Sequence, residues 1–89
     1  MVILMNMRLI YEYIKRMTKD DVKNMAMKQN IILSDKEVDN VYYYIKDNYK
    51  EFFYGKLKID DILKDASKLL SDNNYNKFYE LYLKYEDNI

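Results

Sequence analysis

Apolar residues recur along this chain at helical intervals, with almost no strict alternation of the kind a strand requires. Ile3, Met7, Ile10, Ile14 and Met17 follow at steps of four and three, which predicts a helix over 3–16 with these residues on one face. Val22, Met25 and Ala26, with Gln29 on the same side, mark a second helix over 19–29. Thr18 stands before it as an N-cap, and Asp20 and Asp21 fall in its first turn, where carboxylates favour the helix dipole. Asn30 suits the left-handed position that ends a helix. Ile31-Ile32-Leu33 is then an apolar connector, too short for a paired strand of consequence.

Ser34-Asp35-Lys36-Glu37 is a capping box, in which hydroxyl and carboxylate satisfy each other's orphan amides. The stripe Val38, Val41, Tyr42, Ile45, Tyr49 and Phe52 carries a third helix to residue 54, stopping at Gly55, with a kink near Asp47-Asn48 as the alternative. Lys56 to Ile59 lead into a fourth helix over 60–70, capped by Asp60, with Ile59, Ile62, Leu63, Ala66, Leu69 and Leu70 facing inward. Ser71-Asp72-Asn73-Asn74 reads as a turn, and a fifth helix over 74–86 carries Tyr75, Phe78, Leu81, Tyr82 and Tyr85. The expected fold is all-α, a compact bundle of five short helices in a single domain spanning 1–89. Met5 and Met7 offer alternative starts, so 1–6 is expected as a frayed extension.

Composition acts mainly by subtraction. The 89 residues include no His, Cys, Trp or Pro and one Gly, so the usual general bases, nucleophiles, metal ligands and phosphate-cradling loops are missing. Asp20-Asp21 and Asp60-Asp61 do not make up for this. Neighbours on a helix point about 100° apart and do not converge on one ion, and both pairs sit where helices begin. No EF-hand spacing is present. No catalytic, cofactor-binding or metal-ligating residue is assigned, and a non-enzyme is expected.

Fifteen basic and fifteen acidic residues cancel, and each half of the chain is nearly neutral, so charge selects no partner. Without Cys nothing points to an oxidising compartment. The apolar start Met1–Met5 lacks the basic leading segment and cleavage site of a leader and is far shorter than a membrane span, which makes the cytoplasm the expected location. The segment beside Arg8, Lys15 and Arg16 has a weak claim to lie on a membrane surface; docking of the same face into the domain is the simpler expectation.

Two surfaces bear on function. Helices two and three with their short joint suggest a helix-turn-helix, and a weak nucleic-acid-associated protein is the alternative reading. Against it, the joint is long, Arg is nearly absent, and the third helix opens on Asp35, Glu37 and Asp39. The eleven tyrosines are the stronger signal, although thirteen Lys against two Arg suggests AT-rich codons as an ordinary source. Tyr42-Tyr43-Tyr44 cover three directions of one helix, and Tyr75, Phe78, Tyr79, Leu81, Tyr82, Leu83 and Tyr85 leave helix five little polar circumference. A helix apolar on most sides is either central or paired outside its domain. The expectation is a protein–protein interaction module binding another protein or a second copy through Tyr43, Tyr44, Tyr79 and Leu83. Base stacking on RNA would need a basic groove.

Met17-Thr18-Lys19-Asp20-Asp21-Val22 followed by Lys28-Gln29-Asn30-Ile31-Ile32-Leu33-Ser34-Asp35-Lys36-Glu37 resembles a YqfT-like family of small helical proteins of low-GC Gram-positive bacteria, a domain of unknown function. The likeness spans most of the chain from Met7. It implies an all-helical fold and a bacterial cytoplasm, and carries over no catalytic residue.

Overall fold

The computed structural model describes residues 2–86, with side chains from 8 to 84. Five helices make up the described residues: α1 (Val2–Arg16), α2 (Lys19–Lys28), α3 (Asp35–Phe53), α4 (Ile59–Leu69) and α5 (Asp72–Glu86). They form the expected small all-α bundle, with α1, α2 and α4 each packed on α3 and α5 packed on α4. The backbone of residues 2–6 continues α1; the side chains of Ile3, Met7 and Tyr85 lie outside the described residues.

Helix ends build the core. Thr18 caps α2: its Oγ1 accepts from the Asp21 N–H, and the Asp21 carboxylate accepts from the Thr18 N–H at 2.9 Å. Ser34 and Glu37 form the same box on α3. In each case the residue before the cap and the fourth residue of the helix are both apolar, the arrangement of a hydrophobic staple. These pairs are Met17 with Val22 and Leu33 with Val38, and with Ile31 they are the buried cluster at the centre of the molecule. Ile31 arrives there because Asn30 ends α2 at φ 63°, with the Asn30 N–H on Met27 O and the Ile31 N–H on Ala26 O. Gly55 ends α3 in the same way at φ 76°. A solvated polar cap and a buried staple thus belong to the same short segments.

The Glu37 carboxylate does more than close its own box. It also accepts from the backbone N–H of Ser71 at 2.8 Å and from the Asn74 side chain at 3.0 and 3.1 Å. Asn74 is 6% exposed and also donates to Ile32 O. One carboxylate therefore ties the start of α3 to the start of α5. Partial desolvation pushes its acid form up, but the Ser34 and Ser71 amides and the Asn74 side chain outweigh this and hold it at about 2, against 4.5 unperturbed. At the other end of α3, Lys46 Nζ donates to Ile14 O and Lys15 O at 2.8 and 2.9 Å, placing a cation on the last carbonyls of α1.

Several expectations change. α3 runs unbroken through Asp47-Asn48. Phe52, expected inside, is exposed, and Phe53 takes the inner place, because α1 covers this end of α3 from the Phe53 side, with the Tyr11 ring edge-on to it. α4 starts at Ile59, and Asp61, not Asp60, receives the Lys58 N–H at 3.1 Å: Lys58 stands at the cap without an acceptor, so the carboxylate three residues on reaches back. Ile59 is exposed because the hydrogen bonds from α3, Asn40 to Leu69 O and Tyr44 to Asp65, grip the other half of α4. α5 begins at Asp72, two residues early, since Ser71 Oγ accepts from the Asn74 N–H and draws the cap formers into the first turn. Met25 and Ile10 are exposed, because α1 and α2 pack on α3 and not on each other; Gln29, at the α2 C-cap, is exposed too.

Glu37→Gln should lower stability by about 1–2 kcal/mol, allowing for solvent screening, as read by urea denaturation at pH 7. The folded-state pKa is depressed, so the stabilisation is present above pH 4.5 and is lost as pH falls toward 2; the Gln variant should lack that acid-side loss. Lys46→Met should speed hydrogen exchange in the last turn of α1 by roughly fivefold, corresponding to about 1 kcal/mol, while α4 and α5 amides stay unchanged.

Candidate interaction surface

The four residues expected as a contact surface separate in the fold. Tyr43 lies on the outer side of α3, 53% exposed, edge-on to Tyr42 at 5.1 Å. The Lys19 ammonium stands 4.8 Å from its ring centroid and pairs with Asp39 at 3.0 Å; Asp39 first, then Tyr43, hold that lysine charged above its ordinary range. Tyr44 is no free contact. It is half-buried, and its hydroxyl donates to Asp65 Oδ2 at 2.7 Å, fastening α3 to α4. Burial, the Asp65 hydrogen bond and the charges of Asp65 and Asp61 all push its phenol above the normal tyrosine range. Tyr79 and Leu83 are each 40% exposed on α5, where the Tyr79 ring lies near-parallel to Tyr75 at 6.2 Å and tilted against Tyr82 at 6.1 Å. Because α5 packs along α4 and is tied to α3 at its start through Asn74 and Glu37, the outer tyrosines of α3 and α5 form two patches.

A larger apolar surface lies elsewhere. Between α1, α3 and α4 opens an apolar cleft of about 380 Å³, walled by residues such as Ile10, Ile14, Tyr49, Phe53 and Ile62, with Met25 of α2 at its edge. Tyr11 seals α1 to α3 at one side, its ring 5.2 Å from Tyr49 and 5.3 Å from Phe53. The cleft continues past Tyr13 and Met25, whose hydroxyl and sulfur meet at 3.3 Å, into a shallow depression bounded by Asp21, Asn24, Met27 and Lys28. Leu9 and Phe52 extend the face as exposed side chains. Methionines suit such a place, since flexible thioethers repack against varied partners.

The sequence signal for this face was available. Leu9 and Tyr13 fall off the stripe of Ile3, Met7, Ile10 and Ile14, so α1 is apolar over more than one face, as α5 is. Chemically the surface offers area and shape, with no reacting group. Among the described residues no cluster of three or more Asp or Glu is placed to hold a metal ion, and no helix is long and apolar enough to cross a membrane. No family model, curated protein or solved structure matches the chain.

Tyr44→Phe should cost about 1 kcal/mol and remove absorbance change from the alkaline end of an ultraviolet tyrosine titration. Because folding raises this phenol's pKa, its contribution is complete below pH 10 and fades as pH rises further.

Proposed function

We propose that this chain is a non-enzymatic helical module for protein–protein interaction, acting in the cytoplasm and working through its α1–α2–α3 face. The observation that carries this reading is the open apolar cleft between α1, α3 and α4, which shares Tyr13 and Met25 with the depression of mixed polarity at Met27. Single exposed apolar side chains are ordinary, whereas a contiguous patch of several hundred Å² on a small protein marks a contact site. The likeness to YqfT-like proteins supplies no activity that competes with this reading.

The nucleic-acid alternative is weaker on charge. Six residues separate α2 from α3, longer than a tight helix-turn-helix joint, and α3 opens with carboxylates. Of the lysines on that pair, Lys19 is held by Asp39 and Lys46 by the α1 carbonyls, while Lys23, Lys28 and Lys36 are exposed.

Affinity purification of the chain from its own cells, with and without nuclease, tests the proposal. The expected result is a stoichiometric protein partner, a second copy included, that survives nuclease and is lost with Met25→Lys. Recovery of nucleic acid alone, lost on digestion, overturns it.

A further inference from the structure

Taking the interaction reading as its basis, we infer that the occupant of the α1–α2 face is a second copy of this chain, packed with its α2 antiparallel to the first. Leu9, Ile10, Tyr13, Met25, Met27 and Phe52 are each 41–66% exposed. At 150–250 Å² for a large side chain, these six leave on the order of 600 Å² of surface uncovered. Two copies meeting on this face bury at most about 1,200 Å² from these side chains, which with full coverage reaches the lower bound for a specific stable interface. The face thus supplies the area a modest dimer needs.

Charge selects the same occupant. Along the exposed side of α2, Asp21 stands at one end, Asn24 and Met25 in the middle and Lys28 at the other, around one shallow depression. Asp21 and Lys28 are seven residues and about 10 Å apart. A two-fold axis beside Met25 sets Asp21 of one copy against Lys28 of the partner subunit, and the reverse, with apolar surface between. A stripe that begins acidic and ends basic is complementary to itself when turned end for end. Asp21 keeps its cap through Oδ2, which holds the Thr18 N–H, and Oδ1 serves the second contact. The zero formal net charge removes the repulsion that keeps charged proteins apart.

Sedimentation velocity with light scattering, from micromolar to several hundred micromolar, tests the inference on the full chain. The expected result is a concentration-dependent rise to twice the 11.0 kDa mass. Met25→Lys should weaken association at least tenfold, and Lys28→Glu should weaken it while making it less sensitive to salt. Tyr79→Lys on α5 should change nothing, and circular dichroism of each variant checks that the helices persist. A wild-type chain that stays monomeric throughout overturns the inference, as does association that survives Met25→Lys and disappears with Tyr79→Lys. A monomer that still captures a different protein through the same face overturns the dimer alone and leaves the interaction module standing.

Discussion

A bundle of short helices has one recurring problem, which is that each helix leaves four backbone amides without partners at its start. Glu37 is where this molecule solves the problem twice with one group. Its carboxylate closes the capping box of α3 and also takes the first amide of the α5 cap, with Asn74 wedged between them and bonded to the Ile31–Leu33 connector. The position of α5 follows from that junction, and with it the arrival of Phe78 against the buried cluster. The core itself depends on the same economy. Met17, Val22, Leu33 and Val38 are the staples of two caps, so the residues that start the helices are those that hold them together.

The consequence is a small core and a large remainder. A chain of this length hides only about three-fifths of its unfolded surface. Among the described residues the buried hydrophobic ones number six, and no large side chain is fully enclosed. α3 serves as a common strut for α1, α2 and α4, each of which meets it without closing on its neighbour. The gap between α1 and α2 is therefore built into the topology, and Tyr13 and Met25 bridge it only at the surface. An apolar face that architecture leaves open, on a molecule without His or Cys, is the feature from which function is best read.

Much of the fold was legible in local signals. Thr18, Asn30, Ser34, Glu37 and Gly55 announced the ends of α2 and α3, because a cap involves only residues within one turn of each other. The same locality explains the failures at α4 and α5. Asp60 and Asp61 are chemically equivalent in sequence, and only the helix start decides that Asp61 is the one reaching back to Lys58. Ser71 through Asn74 are all cap formers, and the choice of Ser71 depends on the distant Glu37, which claims its amide.

The sequence alone therefore determined five helices, their order, most of their boundaries, and the lack of His and Cys, since hydrophobic period and capping are short-range and composition is fixed. It could not say which apolar residues would stay outside. Tyr44 was expected to face solvent and instead binds Asp65 across the α3–α4 contact, while Met25 and Ile10 were expected inside and line an open face. Periodicity tells which residues share a side of a helix, but not whether another helix covers that side. Only the tertiary packing of α1, α2 and α4 around α3 decided that, because burial belongs to pairs of elements and not to any one of them.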